Sequence, residues 1–134
     1  VDLRNTREES LRTAEARLLA HIAALRDAEK VQIATRCLAR FEPVPFAPEM
    51  TALVERHAKA HGLSTRRMPS GAGHDAQILA AVCPSAMIFV PSVEGISHNV
   101  REFTQPHHIE AGANVLLSVL CELTGATRPA GVHS

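Results

Sequence analysis

The strongest constraint on the fold is a short apolar run, Ala86 to Val90, which is bounded by Pro84 and Pro91. A continuous apolar run of this length is typical of a strand that is buried on both faces of a sheet. The run therefore predicts a sheet in the core of the fold. Loops on either side of it would lie at the ends of a core element, where a scaffold holds polar side chains firmly.

Two loops with chemically capable residues flank this run. The first is SGAGHD at Ser70 to Asp75, and the second is GISHN at Gly95 to Asn99. Each contains a histidine close to glycines, which let the backbone approach a ligand closely. A single loop histidine is more often a surface or hydrogen-bonded residue than a metal ligand, so neither loop alone identifies a site.

Taken together, three words of the sequence resemble a known family, the metal-dependent amidohydrolases that include N-carbamoyl-L-amino acid hydrolases, allantoate amidohydrolases and β-ureidopropionases. The words are SGAGHDA at Ser70 to Ala76, AMIFVPS at Ala86 to Ser92 and GISHNVRE at Gly95 to Glu102, in the family's order and spacing. A looser match, VDLR at Val1 to Arg4, resembles the strand end that precedes a long helix in these enzymes. The resemblance extends to about Gly125 and corresponds to the C-terminal third of such an enzyme.

The resemblance implies part of a zinc-peptidase-like α/β catalytic domain, preceded by the second half of a small α+β lid and dimerisation domain. Residues 1–42 would belong to the lid and residues 43–134 to the catalytic domain, because Pro43, Pro45 and Pro48 interrupt the pattern between them. The sequence has no Met at position 1 and begins with a strand-like segment without a nearby partner. We therefore expect the chain to be a portion of a longer protein.

The lid portion is predicted to be a strand, a helix and a strand. Asp2 to Arg4 ends the first strand, and Thr6 and Glu9 have the spacing of a capping box. The helix should bury a stripe with three- and four-residue spacing, Leu11, Ala14, Leu18, Ile22 and Leu25. Alternation then predicts a half-buried strand whose inward residues are Val31, Ile33, Cys37 and Phe41. Its solvent face would hold Gln32, Arg36 and Arg40.

In the first part of the catalytic portion, the sequence predicts a helix and a strand. Pro48 suits a first helical turn, and the helix should end before Gly62. Its inward stripe would be Met50, Leu53, Val54 and Ala58. Leu63 to Met68 predicts a short strand that leads into the first loop.

Two further helices are predicted around the second loop. Ala76 to Val82 should form one, with Ile78, Leu79 and Val82 inward. Pro106 should open the last helix and Gly125 should close it. Its core stripe would be Ile109, Ala113, Leu116, Leu117, Leu120 and Leu123. Thr127 to Ser134 predicts a frayed tail.

Composition narrows the classes of function. The 14 basic residues balance the 14 acidic ones, and aromatic residues make up 3% without Trp or Tyr, which disfavours nucleic-acid binding. No apolar run approaches the ~20 residues of a membrane span, and the first residues do not resemble a signal peptide. We therefore expect a cytoplasmic protein with no nucleic-acid or membrane partner. Cys37, Cys83 and Cys121 should be reduced, buried thiols.

The resemblance assigns roles to individual residues. His98 corresponds to the family's last metal ligand, and His74 to the catalytic histidine that contacts the substrate and stabilises the oxyanion of the tetrahedral intermediate. Arg4 corresponds to the arginine that holds the substrate carboxylate and usually reaches into the active site of a second subunit, so a homodimer is expected. Gly95 and Ser97 are assigned to substrate binding in the same way.

Simpler interpretations remain open for several of these residues. Arg4 is also consistent with a surface arginine near a strand terminus. Asp75 either orients His74 or caps the helix that begins there. Glu102 either supports the candidate ligand His98 or forms an ion pair with a nearby arginine.

Four other histidines lie in two of the predicted helices. His57 and His61 lie four residues apart on one helical face, a spacing that allows metal chelation but is more often a surface pair. His107 and His108 begin the last helix and are expected at the surface.

The implied activity of the complete enzyme is hydrolysis of a linear carbamoyl or ureido C–N bond by metal-bound water, with zinc or manganese as the metal. N-carbamoyl amino acids, allantoate and β-ureidopropionate all fit as small carboxylate substrates, and dipeptides are the alternative for a related metallopeptidase. The family's His-x-Asp word, bridging aspartate and catalytic Glu-Glu pair lie upstream of its Asp-x-Arg strand, and this sequence lacks them. We therefore expect the chain alone to bind zinc weakly and to be inactive. A second hypothesis is a non-catalytic remnant that serves as a dimerisation or interaction module.

Overall fold

The elements of the fold are helical. A computed structural model describes residues 1–126, so the predicted tail from Thr127 to Ser134 lies outside the described residues. The elements are α1 (Glu8–Glu29), α2 (Pro48–Ala60), α3 (Asp75–Leu79), a 3₁₀ turn (Val93–Gly95) and α4 (Pro106–Thr124).

The chain divides into two compact units. The first unit combines Val1–Pro45 with Pro69–Gly73, and the second combines Phe46–Met68 with the described residues from His74 onward. Their assignment to a lid and a catalytic portion stays a prediction.

No strand is formed anywhere between residues 1 and 126. The strands predicted at 2–4, 31–41, 63–68 and 86–90 are therefore wrong for this structure. An extended segment becomes a strand only when a neighbour pairs with its backbone, and those segments lack such a partner here. The α/β class is thus not confirmed by the described residues.

Helix α1 buries the predicted stripe. Leu11 is 6% exposed, and the other four members are half-buried. The predicted capping box is wrong, because the N-cap residue is Arg7 and no side chain caps the helix. The side chain of Asn5 instead accepts a hydrogen bond from the backbone N–H of Arg7 at 2.9 Å. Tertiary burial of the stripe, more than the cap, therefore defines this helix.

The segment after α1 folds back along the helix. Near the end of α1, Arg26 donates a hydrogen bond to the carbonyl oxygen of Ile33. At the beginning of α1, Arg40 contacts Glu8 at 2.7 Å and Glu15 at 3.1 Å. Ion pairs thus hold this segment where a sheet neighbour was expected.

The predicted faces of this segment are wrong. Arg40, expected to face solvent, points at α1 with 31% of its side chain exposed. Phe41, expected to face inward, is 74% exposed. Leu38 in the same segment is 81% exposed. The acidic residues of α1 decide the orientation, because they attract the guanidinium group to the helix.

The core of the second unit lies between α2 and α4. Leu53 and Ala58 of α2 are each 8% exposed, and Val115 and Val119 of α4 are 2% and 4% exposed. The predicted stripe of α2 is confirmed, since its other two members, Met50 and Val54, are half-buried.

The end of α2 also follows its sequence. Gly62 is left-handed, with φ of 72°. Its N–H bonds to the carbonyl oxygen of Lys59 at 2.9 Å, and the N–H of Leu63 bonds to that of Ala58 at 3.0 Å. This is the Schellman pattern, which satisfies the last helical carbonyl groups.

The predicted bounds of α4 are confirmed, but its predicted core stripe is wrong. Pro106 begins the helix and Gly125, with φ of 68°, caps its end. The leucine-rich face is exposed, with Ile109 at 55% and Leu116 at 49%. Apolar residues occupy two faces of this helix, so periodicity alone does not identify the face that contacts α2.

The apolar run Ala86 to Val90 is not buried on both faces. Phe89 and Val90 are 50% and 37% exposed. The run nevertheless contacts α4 closely, because a Cβ atom added at Gly112 would lie 2.6 Å from Cγ1 of Val90. Gly112 thus permits a close approach between helix and run.

Helix α3 and the three cysteines are more exposed than predicted. Helix α3 is shorter than predicted, and its supposedly inward side chains, Ile78, Leu79 and Val82, are 74%, 52% and 80% exposed. The three cysteines are free thiols as predicted, but Cys37 and Cys83 are exposed and Cys121 is only half-buried. Both errors have one cause: nothing in the described residues covers these apolar segments.

Candidate functional site

His74 lies at the start of α3, next to the apolar run. Its backbone is extended, with φ of −140° and ψ of 157°, and it forms the N-cap position of the helix. Its ring meets the ring of Phe89 edge-on, with centroids 6.0 Å apart. No side chain caps α3, so the capping interpretation of Asp75 is wrong. The Asp75 carboxylate still lies in the first helical turn, where the helix dipole favours a negative charge.

The second loop contains an unusual cluster of left-handed residues. Glu94, Gly95 and His98 have φ values of 57°, 69° and 55°. A residue with a side chain adopts this conformation at a cost of about 1–2 kcal/mol, whereas glycine adopts it at little cost. Other interactions in the loop therefore have to offset this cost at Glu94 and His98. Strained backbone of this kind is common at functional sites.

A carboxylate holds His98 in this conformation. The backbone N–H of His98 donates to Oε2 of Glu102 at 2.7 Å, and the N–H of Glu102 donates to the carbonyl oxygen of Asn99 at 2.9 Å. The N–H of Val93 bonds to the carbonyl oxygen of Phe103 at 2.8 Å and closes the loop. The side chain of His98 is therefore presented outward, as is that of Ser97.

The interpretation of Glu102 as an ion-pair partner of an arginine finds no support among residues 1–126. Its carboxylate meets the main chain of the candidate ligand instead. The metal role of His98 and the substrate roles of Gly95 and Ser97 stay predictions.

Arg4 is tied to the first loop inside the first unit. Its Nη1 donates a hydrogen bond to the carbonyl oxygen of Gly71, 67 residues away in sequence. Its Nε and Nη2 lie 2.8 Å and 2.6 Å from Oδ2 of Asp2. The hydrogen bond from Arg4 lowers the pKa of Asp2, and the carboxylate raises the pKa of Arg4. The two words VDLR and SGAG are thus in direct contact.

A second candidate site, the α2–α4 polar seam, was not predicted. It consists of Arg56, His57, His61, Ser118 and Glu122. Arg56 contacts both carboxylate oxygens of Glu122 at 2.7 and 2.8 Å, and Nε2 of His57 lies 2.8 Å from the same group. Nε2 of His61 lies 2.9 Å from the hydroxyl oxygen of Ser118.

The seam explains the histidine pair that suggested chelation. His57 and His61 each contact a different residue of α4, and both are half-buried, so the interpretation as an exposed surface pair is wrong. The matching four-residue spacing of Ser118 and Glu122 on α4 was the available sequence clue. An open depression of about 440 Å³ borders the seam and also includes Cys121.

The contacts in the seam favour the ionised form of Glu122. The bidentate hydrogen bonds from Arg56, together with a weaker contribution from His57, lower the pKa of Glu122 to about 2, although partial desolvation opposes this shift. Glu122 therefore remains ionised over the whole neutral and mildly acidic range.

The surface prediction is wrong for one of the two histidines that open α4. The rings of His107 and His108 lie 4.1 Å apart. Nδ1 of His108 is buried and has no hydrogen-bond partner among the described residues.

Comparison with known proteins now identifies the family. The sequence profile of peptidase family M20/M25/M40 matches residues 10–122. The chain belongs to this family. The resemblance predicted from the sequence words is thereby confirmed.

Relatives of this M20 chain include named hydrolases. It is 37% identical over 123 residues to an allantoate amidohydrolase of Escherichia coli, covering 92% of this chain and 30% of the relative. It is 34% identical over 122 residues to an N-carbamoyl-L-amino-acid amidohydrolase of Rhizobium meliloti, covering 91% and 29%. A solved amidase of the hydantoinase/carbamoylase family from Burkholderia vietnamiensis is 38% identical, with a TM-score of 0.79 over 95% of this chain and 30% of that one.

The chain thus spans about 30% of the length of the relatives that it matches. The similarity to the solved amidase shows an M20-type fold for these residues, because it combines 38% identity with a TM-score of 0.79.

The M20 family is in general metal-dependent. Residues 1–126 contain no group of three or more His, Cys, Asp or Glu side chains that converge on a possible ion. One exposed imidazole, such as that of His98, does not make a centre, which needs about three protein ligands. The residues present therefore do not fit a complete metal site.

None of the described helices is long and apolar enough to cross a membrane.

Proposed function

We propose that the chain is the C-terminal portion of an amidohydrolase that hydrolyses a linear carbamoyl or ureido C–N bond in a small carboxylate substrate. The observation that carries the proposal is its 34–37% identity, over more than nine tenths of its length, to relatives named for allantoate and N-carbamoyl amino acids. The sequence words SGAGHDA and GISHNVRE lie within the region compared.

The proposal gives each candidate residue one task. Arg4 holds the substrate carboxylate with its guanidinium group. His74 stabilises the developing oxyanion, a task for which a preorganised hydrogen-bond donor contributes several kcal/mol. Gly95 and Ser97 contact the substrate. His98 contributes one ligand to a divalent metal site whose other ligands lie outside the described residues.

Two details of the structure support these tasks. The start of α3 and the edge-on Phe89 ring hold the backbone and the imidazole of His74 in a defined position. The Glu102 carboxylate supports the strained backbone of His98. Preorganisation of this kind is what a site for transition-state binding requires.

We further propose that residues 1–42 belong to a lid that forms a homodimer. The support is the exposure of large apolar side chains in this segment, including Leu19 at 58% and Phe41 at 74%. Large exposed apolar side chains are of the kind that a protein interface buries.

The function is tested with the protein produced from its native gene. The purified protein is assayed with N-carbamoyl-L-amino acids, allantoate, β-ureidopropionate and a dipeptide, and its metal content is measured. His98→Ala should lower activity by more than about a hundredfold, because even supporting partners of metal ligands typically contribute 10–100-fold. It should also lower the metal content. His21→Ala, which changes an exposed histidine of α1, is the matched control.

Full activity and metal content in His98→Ala would refute the assignment of this ligand. Turnover of the dipeptide in preference to the carbamoyl and ureido compounds would move the proposal to a metallopeptidase.

A non-catalytic dimerisation or interaction module is the second candidate, favoured by the same exposed apolar side chains. An intact mass near 14.4 kDa for the native gene product, with dimerisation and without turnover of any compound, would select it. A much larger mass with turnover would exclude it.

A further inference from the structure

The contacts that Arg4 makes within residues 1–126 use three of its five N–H donors. A guanidinium group carries five N–H donors in a rigid plane. Nε and Nη2 face one oxygen of Asp2, at 2.8 and 2.6 Å. Nη1 uses one N–H for the carbonyl oxygen of Gly71. Within residues 1–126, the second N–H of Nη1 and the second N–H of Nη2 show no partner. These two nitrogens form the terminal edge of the guanidinium group, which can meet a carboxylate end-on.

We propose that Asp2 is a positioning residue that holds Arg4 so that this remaining pair of N–H groups receives the carboxylate of a small acid. The inference rests on the proposed function, which assigns carboxylate binding to Arg4. It adds that the orientation of the guanidinium group is set by Asp2 on one edge and by the Gly71 carbonyl group on the other.

Exposure favours positioning over stabilisation of the fold. The side chains of Arg4 and Asp2 are 64% and 66% exposed. Ion pairs between exposed groups contribute little to folding, because water screens them. An arginine side chain that is already ordered, by contrast, loses less conformational entropy when a ligand binds.

The opposite role for Asp2 makes a distinct prediction. If Asp2 were a competitor that occupies Arg4 until a substrate displaces it, removal of its carboxylate would tighten binding of an acid. If Asp2 positions Arg4, removal of the side chain weakens binding. Asp2→Asn separates charge from geometry, because its carbonyl oxygen still accepts hydrogen bonds and carries no charge.

The test uses the protein produced from its native gene and the Nε–Hε resonance of Arg4, observed by ¹⁵N NMR and assigned with Arg4→Lys. N-carbamoyl-L-alanine is the probe, and its carboxamide, which lacks the carboxylate, is the control compound. The acid should shift the Arg4 resonance and the carboxamide should not. Asp2→Ala should weaken binding of the acid by about 3- to 10-fold, the cost of ordering one long side chain. Asp2→Asn should bind at least as well as the unaltered chain.

A second readout needs no ligand. Nε relaxation should show an ordered Arg4 side chain in the unaltered chain and in Asp2→Asn, and a mobile one in Asp2→Ala. Equal or tighter binding by Asp2→Ala, or unchanged order of Arg4 in that variant, overturns the inference.

Failure of the proposed function is distinguishable from failure of this inference. If Arg4→Ala binds the acid as well as the unaltered chain, or if the acid shifts no Arg4 resonance, carboxylate binding by Arg4 is refuted and the inference falls with it. If Arg4→Ala weakens binding and Asp2→Ala does not, only the positioning role of Asp2 is refuted.

Discussion

The backbone N–H of His98 donates a 2.7 Å hydrogen bond to the carboxylate of Glu102, and His98 is left-handed, with φ of 55°. The two facts belong together. A histidine in this conformation needs compensation, and a charged acceptor four residues later supplies it. The backbone conformation of the second loop therefore depends on the carboxylate of Glu102.

Removal of the Glu102 carboxylate should loosen this loop. In Glu102→Ala, we expect the amide of His98 to exchange with solvent about tenfold faster, which corresponds to a net hydrogen-bond contribution of roughly 1.4 kcal/mol. Hydrogen exchange followed by NMR measures this rate. Glu102→Gln retains an acceptor oxygen and should restore part of the protection. Equal exchange rates in all three proteins would contradict the role of Glu102.

The α2–α4 polar seam should make the second unit sensitive to acid. The pKa of Glu122 is lowered from 4.5 to about 2. A carboxyl group with a lowered folded-state pKa contributes stability above its unfolded-state pKa, and this contribution is lost as pH falls from about 4.5 toward 2. Urea unfolding midpoints measured across this range should fall in the unaltered chain and change less in Glu122→Gln.

Glu110→Gln is the control for this prediction, since Glu110 is an exposed glutamate of the same helix. The control variant should follow the pH dependence of the unaltered chain. If Glu122→Gln and the unaltered chain have parallel pH profiles, the seam does not contribute to acid sensitivity.

The contact between α4 and the apolar run should be visible in a double-mutant cycle. Gly112→Ala places a methyl group 2.6 Å from Cγ1 of Val90. Overpacking of this kind typically costs about 1–3 kcal/mol and outweighs the ~1 kcal/mol that alanine gains over glycine in a helix. We expect Gly112→Ala to destabilise the chain by roughly 1 kcal/mol, but to stabilise a Val90→Ala variant by up to ~1 kcal/mol. Denaturant unfolding of the four proteins measures the coupling, and equal effects in both backgrounds would contradict the contact.

The fold-back of the first unit along α1 should depend on Arg40. Arg40→Ala removes the contacts with Glu8 and Glu15, so the segment 31–42 should become more susceptible to proteolysis. Limited proteolysis with chymotrypsin, which cleaves at the exposed Phe41, tests this. Arg36→Ala changes an arginine of the same segment and should leave the cleavage rate unchanged. Similar rates in both variants would show that the ion pairs do not hold the segment.

The bounds of α2 and α4 could be predicted because their causes are local. Pro48 and Pro106 suit a first helical turn, and Gly62 and Gly125 adopt the left-handed conformation that ends a helix. The family was also predictable, because its words are contiguous in sequence.

The arrangement of the candidate site was only partly predictable. Sequence placed His74 and His98 in loops beside the apolar run, but the contact of Arg4 with Gly71 joins segments 67 residues apart. The support of His98 by Glu102 was one of two open interpretations. The strained φ of His98 has no sequence signature.

The sequence by itself determined where α2 and α4 begin and end, and to which family the chain belongs. Only the tertiary structure decided which of two apolar faces of α4 meets α2, and that His57 and His61 contact Glu122 and Ser118. The physical reason is the distance along the chain over which each interaction acts. Helix caps and periodicity depend on neighbours within one or two turns, whereas the buried face of a helix and the pairing of a strand depend on what lies across from them.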